Sequence, residues 1–95
     1  MKLQPVEKGP DYQFYCPGCK TQHGVWTTNR NGNKCIWKFN GDLNVPTFTP
    51  SIKVQWSDSK GPKVCHSNIT NGKIIFHGDC THELKGQTVE LPEID

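Results

Sequence analysis

Two cysteines that lie two residues apart, Cys16 and Cys19, form the strongest chemical signal in this 95-residue chain. They enclose Pro17 and Gly18, and a tight C-x-x-C turn of this kind directs both sulfurs at one metal ion. A tetrahedral structural zinc site needs two more ligands from elsewhere in the chain. The pattern therefore predicts a zinc site that takes half of its ligands from this turn.

The second half of the site is assigned to a short C-x-H motif. Cys80 and His82 follow a predicted hairpin, so they can close over the first turn. A small, polar chain gains folding free energy outright from a bound metal, which favours this interpretation over unconnected thiols. A thioredoxin-like redox motif is disfavoured, because the chain shows no helix after the first cysteines. The predicted ligands are Cys16, Cys19, Cys80 and His82, holding a structural Zn²⁺.

Other sulfur and imidazole groups leave alternatives open. Cys65 is the first substitute for either Cys80 or His82, and His66 is a further substitute or part of a second site. Cys35 lies in the middle of a predicted strand and is interpreted as a small buried residue, the spare of the five cysteines. His23 is interpreted as an exposed loop histidine.

No familiar catalytic motif accompanies these residues. The chain has no H-E-x-x-H, no H-x-E…P-C-x-x-C, no P-loop and no recognised Ser/His/Asp signature, so no catalytic residue is assigned. Asp79, next to Cys80, is interpreted as a group that orients a metal ligand. A non-catalytic binding module is therefore favoured, and the alternative is a zinc-dependent hydrolase that acts on a nucleotide or nucleic acid.

A rigid polar loop beside aromatic residues supplies a candidate binding surface. Pro46 and Pro50 frame this loop, and prolines restrict its backbone. Tryptophans in so small a chain usually form its core, but an exposed ring can also stack on a ligand. The candidate surface consists of Trp37, Asn40, Thr47, Ser51 and His66.

Composition limits both the partner and the location. The net charge is only +2, which disfavours a nucleic-acid partner. The longest apolar run has three residues, and the start of the chain lacks the apolar stretch of a secretory signal. We therefore expect a cytoplasmic protein without a membrane partner, in which cysteines stay reduced and available to a metal. Free sheet edges also allow a homodimer.

The elements that carry these residues are almost all strands. Residues 1–12 are expected to be a loosely ordered lead-in, and residues 13–95 a single zinc-stabilised antiparallel β domain. This domain is expected to form a compact sheet or partly open barrel with a zinc knuckle and little helix. Asn71-Gly72 is the preferred pair of a two-residue hairpin, which places Ser67 opposite Phe76. The other expected strands are 13–15, 25–28, 35–39, 52–56 and 87–91, with a turn at 29–33, a polar loop at 57–63 and a helical turn only at 81–85.

The chain contains, in this order, the motifs C-P-G-C-x3-H, W-x-F-N-G, P-T-F-x-P-S-I, C-H-S, N-G-x-I-x-F, D-C-x-H and G-Q-T-V-x-L-P. This order of motifs resembles a family of small phage and prophage proteins of unknown function, often mislabelled "ammonia monooxygenase". The resemblance covers about residues 13–92. It implies a phage-encoded protein in the bacterial host cytosol, with Cys/His motifs suited to zinc. By analogy, such a protein would serve in counter-defence or host takeover and bind a host protein or a small anionic, nucleotide-like ligand.

Overall fold

The described part of the chain folds into three antiparallel sheets. The computed structural model describes residues 1–28 and 36–94, so the predicted turn at 29–33 and Cys35 lie outside the described residues. The described residues contain no helix, and none of them could therefore cross a membrane as one. The prediction of a small, mostly β domain is confirmed, and the sheets formed by these described residues do not close into a barrel. The strands are β1 (Gln4–Pro5), β2 (Tyr12–Cys16), β3 (Thr21–Val25), β4 (Lys38–Phe39), β5 (Phe48–Thr49), β6 (Ile52–Asp58), β7 (Gly61–Thr70), β8 (Lys73–Phe76) and β9 (Thr88–Glu90).

The first sheet has the order β1-β2-β3 and presents the C-x-x-C turn at one end. Cys16 pairs with Thr21, and Lys20 adopts a left-handed backbone conformation, with a φ of 59°, that reverses the chain between them. The predicted strand at 25–28 is therefore wrong in its bounds. The chain turns back directly after the cysteines, so β3 begins at Thr21 and ends at Val25.

The first residues of the chain pack against the rest of the domain. The side chain of Leu3 is fully buried, and the backbone N–H groups of Lys2 and Leu3 both donate to the Leu43 carbonyl. At the other end, the Ile94 N–H donates to the Met1 carbonyl at 2.8 Å. The segment expected to be a lead-in thus supplies β1 and one core side chain.

A four-stranded sheet of order β6-β7-β8-β9 forms the larger part of the domain. The register predicted from Asn71-Gly72 is confirmed, since Thr70 pairs with Lys73 and Ser67 with Phe76. The predicted loop at 57–63 is wrong, because β6 and β7 continue until Asp58 pairs with Gly61. A two-residue turn joins them, and the Asp58 carboxylate accepts the Lys60 N–H at 2.8 Å.

Strand β7 has two faces with different surroundings. Cys65, Ser67 and Ile69 are buried, whereas His66 and Asn68 between them are half-buried. Because successive side chains of a strand point to opposite faces, this pattern gives the sheet an inner face on the core and an outer face. Cys65 therefore lies on the inner face of β7, and His66 lies on its outer face.

Candidate active site and metal centre

A cluster of three cysteines and one histidine lies on the inner face of the large sheet. One ligand atom from each of the four residues lies within 4.8 Å of the others, close enough to hold one metal ion. The Sγ atoms of Cys16 and Cys65 are 3.7 Å apart, and the Cys19 N–H donates to the Cys16 Sγ at 3.4 Å. Three sulfurs and one imidazole nitrogen match the donors of a structural zinc site. The four residues are Cys16, Cys19, Cys65 and His82.

The sequence prediction named three of these residues and placed Cys80 in the set instead of Cys65. Cys80 is buried, but its thiol bonds to backbone groups: its Sγ accepts the His66 N–H at 3.3 Å and donates to the His66 carbonyl at 3.2 Å. The Cys80 thiol thus bonds to backbone groups of β7 at a position that follows the end of β8. Cys65, the first substitute in the sequence analysis, is the cysteine that lies beside Cys16.

The ionisation of the cluster reflects the crowding of its sulfurs. A hydrogen bond from the Cys65 thiol, opposed by burial, is the main reason that the pKa of Cys16 falls to about 4. Burial, and then the negative charge of Cys16, raise the pKa of Cys19 to about 11. The same hydrogen bond to Cys16, followed by burial, raises the pKa of Cys65 far above its ordinary value. The metal-free cluster thus favours a single thiolate, whereas a divalent cation would stabilise all three.

His82 packs tightly against the C-x-x-C turn. A Cβ placed on Gly18 would lie 2.5 Å from the His82 Nε2, so only glycine permits this approach. The His82 Nδ1 accepts the Leu84 N–H at 3.2 Å, and its Nε2 is buried without a partner among the described residues. An unpartnered buried imidazole nitrogen beside three sulfurs fits a metal ligand.

His23 belongs to the surroundings of this cluster, so its interpretation as an exposed loop residue is wrong. It lies on β3, is only 9% exposed and packs edge-on against Phe14. The alternation of β3 turns its side chain inward, where it contacts the Cys16 sulfur and helps to lower the pKa of that thiol. The tight turn that starts β3 at Thr21 decides this orientation.

The outer face of the same sheet carries a serine, a histidine and an aspartate in contact. The Ser51 Oγ lies 3.0 Å from the His66 Nε2. On the other side of the ring, both carboxylate oxygens of Asp79 lie 3.2 Å from the His66 Nδ1. A hydroxyl, an imidazole and a carboxylate linked in this order form the arrangement in which a serine acts as a nucleophile.

The charge of Asp79 determines the tautomer of His66. Desolvation acts to raise the pKa of the exposed Asp79 carboxyl, but its hydrogen bond with His66 and the positive charge of Lys53 contribute to holding the pKa below its ordinary value. Asp79 is therefore ionised at neutral pH and accepts a hydrogen bond, so the Nδ1 of His66 carries the proton. The Nε2 of the neutral ring is then free to accept the Ser51 hydroxyl hydrogen.

A second histidine holds the ring of His66 from the side. His77 stacks on His66 with ring centroids 4.0 Å apart and an angle of 11° between the planes. The His77 Nε2 donates to the Asn68 Oδ1 at 2.6 Å, which fixes the orientation of the second ring. Because His66 also bonds through its backbone to Cys80 and His77, both its backbone and its ring are constrained.

The other three residues of the candidate binding surface, Trp37, Asn40 and Thr47, form hydrogen bonds with neighbouring backbone groups. The Trp37 indole N–H donates to the Ser51 carbonyl at 3.3 Å, which anchors the backbone of the serine. The Asn40 side chain accepts the Thr47 N–H at 3.1 Å, and the Thr47 hydroxyl accepts the Asn71 N–H at 2.8 Å. Of the five residues in that surface, Ser51 and His66 belong to the polar triad, and the other three stabilise the surrounding loops.

A comparison with known families adds to this geometry. Residues 4–77 match the family BubE, which is described as bacterial ubiquitination-like system serine protease. The chain belongs to the BubE family. The segment that matches BubE includes Ser51 and His66, whereas Asp79 and His82 follow it. No curated protein and no solved structure matches the chain.

Sequence reasoning missed the triad in this BubE chain because its members come from three separate segments. Ser51 precedes β6, His66 lies in β7 and Asp79 follows β8. One signal was available: with the β6–β7 turn at residues 59–60, the register places Lys53 opposite His66 and Ser51 beside them. Because a loop was predicted at 57–63, pairing of β6 with β7 in this register was not considered.

Proposed function

We propose that this chain is a serine protease in which Ser51 is the nucleophile, His66 the general base and Asp79 the group that orients the base. The observation that carries the proposal is the 3.0 Å contact between the Ser51 Oγ and the His66 Nε2, with Asp79 on the opposite ring nitrogen. The description of the BubE family as a serine protease supports the same chemistry. Fold alone would not support it, since small β domains host many functions.

The three residues divide the proposed reaction in the following way. The Ser51 Oγ attacks the carbonyl carbon of a peptide bond while the His66 Nε2 takes the hydroxyl proton. The peptide C–N bond then breaks, and His66 returns the proton to the leaving amine, which leaves an ester on Ser51. Water then attacks the ester carbonyl while His66 takes its proton; the bond to the Ser51 Oγ breaks, His66 returns the proton to that oxygen, and the carboxylate product is released. Asp79 stabilises the imidazolium form of His66 throughout.

We propose a structural role for the metal centre in the same protein. Zinc would be held by Cys16, Cys19, Cys65 and His82, and would supply a rigid crosslink between the small sheet and β7. Four protein ligands leave a tetrahedral zinc without an open position for a reacting water. This donor set therefore favours the serine mechanism over the zinc-dependent hydrolase that was the alternative in the sequence analysis.

The biological setting follows from the family description. A serine protease of a bacterial ubiquitination-like system would cleave a protein substrate of that system. The triad favours this function over the non-catalytic binding module expected from the sequence. Phage origin, a cytoplasmic location, a counter-defence role and a host-protein or anionic partner stay predictions, as does a homodimer.

A serine-reactive fluorophosphonate probe tests the proposal directly. We expect the purified protein to be labelled once, with the label on Ser51 by peptide mass spectrometry. Ser51→Ala should lose all labelling, and His66→Ala should slow it by about a thousandfold or more, because the base is absent. Ser57→Ala is the matched control, since Ser57 is an exposed serine of β6, the strand that Ser51 precedes. Labelling that persists at its native rate in His66→Ala would contradict the proposal.

A further inference from the structure

We propose that the free edge of β6 binds the substrate as an added β-strand and leads the scissile bond to Ser51. This inference rests on the proposed protease function and deepens it, because it names the substrate class as an extended, unfolded polypeptide segment. It depends on three features of the structure: unpaired backbone groups on β6, the position of Ser51 at the start of that strand, and an apolar cavity beside it.

The hydrogen-bond pattern shows which backbone groups of β6 face outward. His66 pairs with Lys53, but its carbonyl accepts the His77 N–H, on the side away from β6. Val64 pairs with Gln55, and its carbonyl accepts the Thr81 N–H, again on the far side. In an antiparallel ladder, such pairs do not exchange backbone hydrogen bonds. The N–H and C=O groups of Lys53 and Gln55 therefore point to the outer edge of the sheet.

Nothing that the structure describes pairs with this edge. β6 is the terminal strand in the order β6-β7-β8-β9, and within residues 1–28 and 36–94 its only partner strand is β7. An edge strand with regularly spaced unpaired groups is a template for another extended chain. An added antiparallel strand would bond to Lys53 and then to Gln55, two residues further along.

The nucleophile lies at the beginning of this edge. Ser51 directly precedes Ile52, the first residue of β6. The Trp37 indole N–H donates to the Ser51 carbonyl at 3.3 Å. At about 3.3 Å per residue, Lys53 and Gln55 lie roughly 7 and 13 Å along the strand from Ser51. An antiparallel substrate would thus place the residues before its scissile bond against β6 and its reacting carbonyl beside the Ser51 hydroxyl.

A cavity beside β6 favours an apolar side chain in the substrate. Val54 and Trp56 point to the inner side of the strand and, with Thr21 and His23 of β3, line a space of about 320 Å³. Trp56 is 40% exposed there. Alternate side chains of an added strand would point to this side, so a residue opposite Val54 or Trp56 would enter the cavity. We therefore expect cleavage after segments that contain a large apolar residue.

One substitution removes an outward N–H group that β6 does not use in its pairing with β7. Gln55→Pro eliminates the donor that faces the edge, and proline is tolerated on an edge strand where its nitrogen faces solvent. Gln55→Ala is the matched control, since it removes the same side chain and keeps the N–H. The two assays are fluorophosphonate labelling, which needs no peptide binding, and cleavage of reduced, carboxymethylated casein. We expect Gln55→Pro to label within about twofold of the native rate and to cleave casein about tenfold more slowly, whereas Gln55→Ala stays near native in both.

The outcomes separate this inference from the proposed function. Native protein that labels and cleaves, together with a Gln55→Pro variant that cleaves casein as fast as Gln55→Ala, would overturn the strand site and leave the protease function standing. Labelling of native protein without casein cleavage would also overturn it. Native protein that neither labels nor cleaves would overturn the protease function and the inference with it.

A second measurement uses only the native protein, in case Gln55→Pro does not fold. Peptides from the main casein cleavage site are N-methylated at one backbone position at a time before the scissile bond. Strand addition predicts slower cleavage for every second position, because only alternate amides of the added strand face β6. An equal effect at all positions, or at none, would overturn the inference.

Discussion

Cys65 and His66 are neighbours in β7, yet their side chains serve two different sites on opposite faces of one sheet. The Cys65 Sγ lies 3.7 Å from the Cys16 Sγ within the metal-binding cluster, whereas the His66 Nε2 lies 3.0 Å from the Ser51 Oγ. A metal at the inner face would therefore hold the backbone that carries the proposed base. One peptide bond therefore joins Cys65, a residue of the proposed metal site, to the proposed base.

Removal of the metal should lower the reactivity of Ser51. Without zinc, three crowded sulfurs favour a single thiolate and no longer tie Cys65 to the C-x-x-C turn. We expect protein stripped with a chelator to react with a fluorophosphonate about tenfold more slowly or worse, and added zinc to restore the rate. Unchanged labelling in protein shown to be metal-free by mass spectrometry would contradict this coupling.

The choice between Cys65 and Cys80 as metal ligand can be tested with a matched pair of variants. Cys65→Ser should weaken zinc binding by about a hundredfold or more, because it removes a ligand atom. Cys80→Ser should retain one zinc per chain, since the Cys80 thiol bonds to the His66 backbone, which a hydroxyl can also contact. Zinc content and competition with a chromogenic chelator provide the measurement. The reverse result would restore the ligand set expected from the sequence.

The ring of His77 should act as a positioning group for the proposed base. It stacks on His66 at 4.0 Å and is itself held by Asn68. We expect His77→Ala to lower kcat for peptide cleavage by about three- to tenfold with little change in KM, because a looser base is less often in the reactive geometry. His77→Phe keeps an aromatic ring and should recover most of kcat. A large rise in KM with unchanged kcat would indicate a binding role instead.

Gly18 should be required for the approach of His82. A Cβ at this position would lie 2.5 Å from the His82 Nε2, which is far inside van der Waals contact. Gly18→Ala is therefore expected to displace the imidazole, weaken zinc binding by about tenfold or more and destabilise the fold by about 1–3 kcal/mol. Gly78→Ala serves as the control, since a Cβ there meets nothing within 4 Å. Chemical denaturation and zinc titration of both variants provide the measurement, and equal behaviour would show that the ring can move aside freely.

Features that depend on local chain geometry were accessible from the sequence. The spacing of Cys16 and Cys19 places both sulfurs in one turn, and both residues belong to the cluster that could hold a metal ion. The pair Asn71-Gly72 takes up positive φ values of 51° and 77°, as a two-residue hairpin requires, and so sets the β7–β8 register. In both cases the relevant atoms are a few residues apart, so backbone geometry alone brings them together.

The remaining features depend on how distant segments pack. The sequence favoured Cys80 as a ligand, with Cys65 as its first substitute, but the alternation of β7 turns Cys65 toward Cys16, while Cys80 bonds to the backbone of His66. The contact of Ser51 with His66 requires the β6–β7 register, which a two-residue turn at 59–60 determines. The polar composition of this segment instead favoured a longer loop at 57–63, so the register was not predicted. By itself, the sequence determined the β class, the C-x-x-C turn and one hairpin. Only the tertiary structure brought Cys65 into the cluster that could hold a metal ion, and Ser51, His66 and Asp79 into contact, because long-range strand pairing selects which side chains share a face.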